Sequence, residues 1–197
     1  MTEKAEFYNN VYRLNPRKWA NIERDYIAFR ALNEFTDEPA SMLDYGCGNG
    51  HTIALFYSQW PGTQFTGVDI SDVALDIARE HVPWADFHDF VPPFLRWNVI
   101  TIMGVAEHFE DPAEELRRIS QAMTEDGYMY LEVPNCLAYS PDKTEGFRKT
   151  HAGADQLEWH WRRETWEQAL ANAGLEIVKG YTGPTPAWEY IWILRRE

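Results

Sequence analysis

Three glycines at alternate positions, Gly46, Gly48 and Gly50, constrain this chain more than any other feature of its sequence. They follow a short apolar run at residues 41–45 and open a helical segment, so they mark a tight turn between a strand and a helix. Glycine lets the backbone turn there and approach a ligand where a Cβ would collide. The helix also begins with unpaired N–H groups. The motif therefore predicts a ligand site at the end of a strand in an α/β fold.

The rest of the chain alternates short apolar runs with helical segments, which predicts parallel strands joined by crossover helices. Helix starts are marked by Ser71, by Asp111 with Pro112, and by Thr165, and Gly174 ends the last helix. The fold class is therefore α/β, a doubly wound and mostly parallel sheet that ends in an antiparallel hairpin strand. Its seven predicted strands are residues 41–45, 64–70, 84–88, 98–103, 128–133, 175–181 and 188–194.

Two segments do not follow this alternation. Residues 16–35 carry apolar side chains every three or four positions, which predicts an amphipathic helix within an N-terminal helical cap at residues 1–38. Roughly thirty residues after Pro134 show little periodicity, whereas a typical loop has about 4–6 residues. We expect residues 135–164 to be a substrate-side connection or lid, within a single domain of residues 1–197.

Charge and composition exclude several function classes. The chain has 18 basic and 31 acidic side chains, a formal net charge of −13, which opposes binding to nucleic acid. It has no run of about twenty apolar residues, so we expect no membrane partner and a cytoplasmic location. Cys47 and Cys136 have no partners at metal-ligand spacing, which predicts free thiols and no metal site. We expect a monomer or a homodimer.

A second motif indicates the kind of ligand. Asp69 comes nineteen residues after Gly50, at the end of the second predicted strand, where an acid can accept both hydroxyls of a ribose. A dinucleotide site would need a glycine at the position of His51, so a nicotinamide oxidoreductase is disfavoured. Asp44, just before the glycines, suits a cationic ligand better than a phosphate.

Together these motifs resemble the first two motifs of the class I S-adenosylmethionine-dependent methyltransferases that act on small molecules. The resemblance continues through residues 89–90, 98–109 and 124–134. It implies a Rossmann-like fold, S-adenosylmethionine as cofactor and S-adenosylhomocysteine as product. The cofactor-binding residues that it implies are Asp44, Gly46, Cys47, Gly48, Gly50, Asp69, Ile70, Asp89, Phe90 and Met103.

Methyl transfer to a hydroxyl or a protonated amine needs a general base. The candidates are His108, His151 and His160. Glu107 and His108 have another interpretation, because they could cap the next helix or pack beneath the cofactor. His160 also has a structural or substrate-stacking interpretation.

Aromatic side chains are unusually frequent, and Tyr12, Trp19, Trp159 and Trp161 are predicted to contact the acceptor. Tyr12 and Trp19 could also cover the cofactor, and Trp19 could instead pack the helix on the sheet together with Tyr26. The predicted activity is methyl transfer from S-adenosylmethionine to an oxygen or nitrogen of a small-molecule acceptor, neutral or cationic. The alternative is a relative that binds the cofactor without catalysis and presents a surface to a partner.

Overall fold

The computed structural model describes residues 2–135, 144–149, 157–182 and 189–197. His151 and Cys136 therefore lie outside the described residues. The chain divides into two compact units, Met1–Thr101 and Ile102–Glu197. The single domain of residues 1–197 stays a prediction.

The first unit alternates helices and strands after two N-terminal helices. Its elements are α1 (Glu3–Leu14), α2 (Ile22–Leu32), β1 (Ser41–Tyr45), α3 (His51–Gln59), β2 (Gln64–Val68), α4 (Asp72–His81), β3 (Asp86–His88) and the first part of β4 (Trp97–Met103).

The second unit begins with the end of β4 and a 3-10 turn at Ala106–His108. Its other elements are α5 (Pro112–Ser120), β5 (Met123–Pro134), β6 (Gly146–Lys149), β7 (Leu157–His160), α6 (Arg163–Asn172), β8 (Leu175–Thr182) and β9 (Glu189–Arg196).

Seven strands form one sheet in the order β3-β2-β1-β4-β5-β9-β8, and β6 pairs with β7 in a separate hairpin. β2 runs parallel to both β1 and β3, whereas β9 is antiparallel to β5 and β8. This confirms the predicted α/β fold with an antiparallel C-terminal hairpin. The strand order reverses between β1 and β4, and in open sheets such a reversal leaves a crevice at the carboxyl ends of the strands.

Two predicted helix starts are confirmed by their caps. The Ser71 hydroxyl accepts a hydrogen bond from the Ala74 amide (3.1 Å), and Asp111 Oδ1 accepts one from the Glu114 amide (3.0 Å). Because Asp111 is the N-cap of α5, the interpretation of Glu107 and His108 as the cap of that helix is wrong.

The N-terminal region differs from its prediction. Residues 3–14 form a separate helix within the predicted helical cap, and α2 begins at Ile22 instead of near residue 16. The apolar stripe that predicted this amphipathic helix is partly on the surface, since Ile22 is 61% and Tyr26 is 44% exposed. The buried face of α2 instead contains Asp25, Ala28 and Ala31 together with Leu32. An aspartate in that face hid the true periodicity.

Other elements also differ from their predictions. Residues 124–127, which precede the predicted strand at 128–133, lie inside β5, and β3 begins at Asp86 instead of residue 84. The segment 135–164 contains β6 and β7. α6 begins at Arg163, two residues before the predicted start, because Glu145 Oε1 accepts hydrogen bonds from the Arg162 amide and the Thr165 hydroxyl (2.6 Å each). A carboxylate from another segment thus replaces the local cap.

None of the helices within the described ranges is both long and apolar enough to span a bilayer.

Candidate functional site

The glycine turn between β1 and α3 has the strained backbone that the sequence predicts. Gly46, Gly48 and Gly50 have φ angles of 80°, 51° and 78°, in the left-handed region that favours glycine. The amides of Gly46 and Cys47 both donate to the Val68 carbonyl, at 2.7 and 3.0 Å. The turn is therefore fixed to the end of β2.

Close packing also requires glycine at this turn. A Cβ on residue 48 would collide with the Tyr12 hydroxyl, and one on residue 50 would lie 2.6 Å from Cγ2 of Val82. Cys47 is buried, and burial raises the pKa of its thiol well above the usual value. Its sulfur would lie 2.8 Å from a Cβ on residue 67, so Cys47 packs closely against Gly67.

Asp69 connects the two motifs that were recognised in the sequence. Its Oδ2 accepts a hydrogen bond from the Gly48 amide and its Oδ1 accepts one from the Ser71 amide, both at 2.9 Å. Burial raises the pKa of this carboxyl, and the backbone hydrogen bonds oppose that shift. Each oxygen retains a lone pair for a further donor.

The residues after β2 and β3 lie side by side because these strands are parallel and Val68 is paired with His88. The Asp69 amide donates to the His88 carbonyl at 3.2 Å. This register brings Ile70 next to the segment that contains Asp89 and Phe90. Ile70 and Phe90 are both exposed, so this edge presents apolar surface beside the Asp69 carboxylate.

Asp44 is a buried acid at the end of β1. Its Oδ1 accepts a hydrogen bond from the Thr101 hydroxyl at 2.7 Å. Burial raises the pKa of Asp44 to about 7, the Thr101 hydrogen bond lowers it, and the negative charge of Asp25 raises it further. A carboxyl in this state gains from a cation bound beside it.

The N-terminal helix α1 covers part of the glycine turn. Tyr12 is buried with its hydroxyl against Gly48, and burial followed by the charge of Asp69 raises the pKa of this phenol. Asn9 is also buried, and its Oδ1 accepts hydrogen bonds from the Ser71 hydroxyl (2.7 Å) and the Val73 amide (3.2 Å). α1 thereby packs on the start of α4, next to Asp69.

Trp19 lies in the linker between α1 and α2. Among the described residues it is the only non-glycine with a positive φ, 65°. Its ring contacts those of Tyr12 and Tyr8 edge-on at 5.7 and 5.9 Å, and it is 42% exposed. Asn49 Nδ2 donates to the Pro16 carbonyl at 2.8 Å, which fixes this linker to the glycine turn. Backbone strain at an exposed aromatic residue is typical of functional positions.

In the second unit, the 3-10 turn after β4 is joined to β7 by two hydrogen bonds. Nδ1 of His108 lies 2.9 Å from the Leu157 carbonyl oxygen, and the Trp159 indole N–H donates to the Phe109 carbonyl at 2.9 Å. Since a carbonyl only accepts, the His108 proton is on Nδ1. The Glu107 carboxylate lies 3.9 Å from Nε2 of the same ring.

His160 is the second histidine of this unit, and it is 5% exposed. Its Nε2 lies 3.5 Å from Oε1 of Glu158, which is also buried. Within the ranges that the structure describes, neither ring nitrogen of His160 makes a hydrogen bond. A buried imidazole in this condition has hydrogen-bonding capacity to offer a ligand.

Aromatic rings from β6, β7 and α6 form a contiguous series. Trp159 contacts Phe147 at 4.8 Å and Trp161 at 4.6 Å between ring centroids, and Trp161 contacts Trp166 edge-on at 4.8 Å. The two tryptophans predicted to contact the acceptor are therefore brought together. Met103, at the end of β4, is buried.

A methyltransferase domain model matches residues 18–179 of this chain, which is most of its length. The chain belongs to the S-adenosylmethionine-dependent methyltransferases. The match includes the glycine turn, Asp44 and Asp69, and it extends into β8.

Two curated relatives of this methyltransferase are named for different compounds. It is 25% identical to a ubiquinone biosynthesis O-methyltransferase of Actinobacillus pleuropneumoniae, over 94% of this chain and 84% of the relative. It is 28% identical to a trans-aconitate 2-methyltransferase of Rhodopseudomonas palustris, over 51% of this chain and 41% of that relative.

Solved structures share the fold of this methyltransferase. The 1,6-didemethyltoxoflavin-N1-methyltransferase of Burkholderia thailandensis, solved with its substrate and S-adenosylhomocysteine, has a TM-score of 0.75 at 20% identity, over 99% of this chain and 89% of that one. A Haloferax volcanii protein in complex with the Trm112 activator has a TM-score of 0.76 at 17% identity, over 99% of both chains.

The residues at the turn fit the cofactor of this family. S-adenosylmethionine combines a ribose, an ammonium, a carboxylate and a sulfonium cation. Asp69 retains acceptor sites for ribose hydroxyls, and Asp44 is a buried acid that a cation would stabilise. Gly48 brings its amide directly to the Asp69 carboxylate. The donors and acceptors therefore match the chemistry of the group.

Four residues near the turn were not found from the sequence: Asn9, Arg24, Asp25 and His51. Arg24 is the positive charge that lowers the pKa values of both Tyr12 and Asp44, so it lies near the turn. The signal that could have found Asp25 is its seven-residue spacing from Leu32 through Ala28. Asn9 had no sequence signal, because its partners Ser71 and Val73 are 62 and 64 residues away in the chain.

Proposed function

We propose that this methyltransferase transfers the methyl group of S-adenosylmethionine to an oxygen or nitrogen of a small-molecule acceptor. The observation that carries the cofactor assignment is the hydrogen bond from the Gly48 amide to Asp69, which joins the glycine turn to the acid after β2. S-adenosylmethionine, when bound, supplies a methyl carbon that is activated by its bond to a positively charged sulfur.

Each residue of the turn has a role in this proposal. Asp69 accepts hydrogen bonds from the ribose hydroxyls, and Asp44 pairs with the ammonium of the methionine part. The backbone of Gly46, Gly48 and Gly50 approaches the ligand closely, beside Cys47. Ile70, Asp89, Phe90 and Met103 are proposed to contact the adenine side. By fixing the ligand in one geometry, these residues favour in-line transfer to an aligned acceptor.

A base must take the proton that a hydroxyl or amine acceptor loses, and His108, His151 and His160 remain the proposed candidates, of which His151 lies outside the described residues. For His108, the support is the fixed Nδ1 proton, which leaves Nε2 to receive the acceptor's proton beside the Glu107 carboxylate. For His160, the support is its burial beside Glu158. In both cases a neighbouring carboxylate stabilises the imidazolium that forms.

The acceptor is proposed to be a small organic molecule. The curated relatives are named for ubiquinone biosynthesis and for trans-aconitate, and a structural neighbour is named for a toxoflavin precursor. A net charge of −13 disfavours nucleic acid as the substrate. Trp159 and Trp161 offer stacking surfaces for a planar acceptor, and Tyr12 and Trp19 are the proposed contacts from the first unit.

Release of S-adenosylhomocysteine tests this function. The wild-type protein is incubated with S-adenosylmethionine and a panel of phenols, carboxylic acids and heterocyclic amines, and the product is measured by mass spectrometry. With the best acceptor, His108→Gln or His160→Gln should lower kcat by about 100-fold if that histidine is the base. His81→Gln, an exposed histidine on α4, is the matched control and should keep full activity.

Two results of that assay would revise the proposal. Cofactor binding without turnover on any acceptor would favour the alternative of a non-catalytic, partner-binding relative. Full activity in the His108, His160 and His151→Gln variants alike would mean that proximity alone drives the reaction.

A further inference from the structure

Asp25 and His51 form a pair beside the glycine turn that none of the roles above uses. Asp25 lies on α2 and is completely buried. Its Oδ2 accepts a hydrogen bond from Nδ1 of His51 at 2.5 Å, and its Oδ1 accepts one from the Thr52 hydroxyl at 3.1 Å. With both oxygens engaged, the carboxylate holds the imidazole in one orientation.

The imidazole stands at the exit of the glycine turn. His51 is the first residue of α3 and follows Gly50 directly, and its amide donates to Asn49 Oδ1 at 3.2 Å. The side chain is about one-third exposed, at 32%, and its Nε2 has no hydrogen bond to any residue that the structure describes. Nδ1 faces the protein, so Nε2 is the atom that a ligand at the turn can reach.

Charges around the turn indicate which group of a ligand Nε2 of His51 would bind. Asp25 is close enough to Asp44 for its charge to raise the pKa of that buried acid. Asp44 precedes the three glycines and His51 follows them, so an acid and an imidazole flank the turn. An amino acid carries an ammonium and a carboxylate on one carbon, and such a pair of groups complements it.

We propose that His51 binds the carboxylate of the cofactor's methionine part through Nε2, and that Asp25 is the positioning residue for its ring. This inference rests on the proposed cofactor site and adds a ligand group to it. An imidazole that donates from both nitrogens is protonated on both, which is the form that pairs with a carboxylate. The Asp25 carboxylate, which is paired with Nδ1, balances the positive charge of this imidazolium.

Calorimetry with two ligands isolates this contact. One ligand is S-adenosylhomocysteine, and the other is its decarboxylated analogue, which keeps the adenosine, the sulfur and the ammonium. The wild-type protein should bind the first at least about tenfold more tightly, since only the first ligand can accept a charge-assisted hydrogen bond from His51. His51→Gln should reduce the preference to less than about twofold and leave the affinity for the analogue unchanged.

Matched variants separate positioning from simple packing. Asp25→Asn keeps the shape of the side chain and removes its charge, so the preference should fall by about threefold. Any effect of this charge on Asp44 cancels in the preference, because both ligands carry the ammonium. His81→Gln should keep the wild-type preference. Thermal unfolding checks that each variant is folded, and if His51→Gln is not, Asp25→Asn decides the comparison.

Three results would overturn the inference. Equal losses for both ligands in His51→Gln would mean that His51 only packs the turn. A preference that survives in His51→Gln and disappears in Arg24→Gln would assign the carboxylate to Arg24. If the wild-type protein bound neither ligand, the proposed cofactor site itself would be wrong, and that failure is distinct from the first two.

Discussion

The glycine turn of the first unit and the β6–β7 hairpin of the second unit differ in how their buried polar groups are satisfied. At the turn, Asp69 accepts two backbone hydrogen bonds and Asp44 accepts one from Thr101. At the hairpin, His160 is as deeply buried, yet its ring nitrogens make no hydrogen bond to the described part of the chain.

This difference separates a preformed site from one that a ligand would complete. An unsatisfied buried polar atom costs about 1–3 kcal/mol, so a ligand that pairs with it recovers that free energy. The Asp69 and Asp44 carboxylates of the turn accept hydrogen bonds already, and the geometry of the turn depends on backbone shape. We therefore expect substitutions at the turn to affect cofactor binding, and substitutions at the hairpin to leave it unchanged.

The largest expected effect comes from adding one methyl group to the turn. Gly48→Ala should weaken S-adenosylhomocysteine binding by about 100-fold, because overpacking against Tyr12 and a positive φ together cost about 2–4 kcal/mol. Gly174→Ala is the matched control, since Gly174 also has a positive φ (71°) but no atom within 4 Å of the added Cβ. It should lower stability slightly and leave the Kd unchanged. Equal Kd values for the two variants would contradict a preformed turn.

A smaller effect is expected from pH, through Asp44. Its pKa is about 7 instead of 3.8, so below pH 7 the carboxyl is protonated and must lose its proton to pair with an ammonium. Affinity should therefore rise about fivefold from pH 6 to pH 7 and level off above pH 8. The decarboxylated analogue is the ligand to titrate, because it keeps the ammonium and lacks the group assigned to His51. Asp44→Asn should bind weakly at every pH, and a slope that persists in this variant would exclude Asp44 as its cause.

The same pKa shift makes the folded protein less stable as pH rises, whereas it makes ligand binding tighter. The unfolded chain releases the Asp44 proton near pH 4, whereas the folded protein keeps it until about pH 7. The contribution of Asp44 to the free energy of unfolding is therefore fully present below pH 4 and is lost as pH rises to 7. Chemical denaturation across this range should show that the free energies of unfolding of wild type and Asp44→Asn become more similar as the pH is lowered.

The smallest expected effect is at the hairpin. Trp159→Phe removes the indole N–H that donates to the Phe109 carbonyl and keeps an aromatic ring against Phe147. Unfolding should become easier by about 1 kcal/mol in urea, with an unchanged Kd for S-adenosylhomocysteine. A changed Kd would mean that the hairpin takes part in cofactor binding, which would remove the contrast between the two regions.

Much of the turn could be predicted from the sequence because its determinants are local. Glycines with positive φ, an acid at a strand end and a Ser71 N-cap each act within a few residues. The sheet followed from alternating apolar runs for the same reason. The N-cap of α5 at Asp111 is also a local contact.

Other parts depend on contacts between distant residues, which one sequence does not display. α2 buries Asp25 because His51 and Thr52 satisfy its carboxylate from α3. α6 begins early because Glu145 replaces a local cap. The pairing of β6 with β7 likewise joins two short segments that carry no periodic pattern.

Titration of wild type and Asp69→Ala with S-adenosylhomocysteine tests the central claim, that the turn and the acid after β2 hold the cofactor. Asp72→Ala, an exposed neighbouring acid, serves as the control. We predict one site per chain in the wild type, an unchanged Kd in Asp72→Ala and a Kd at least about 100-fold weaker in Asp69→Ala, which loses two ribose hydrogen bonds. The same Kd in all three proteins would contradict the assignment.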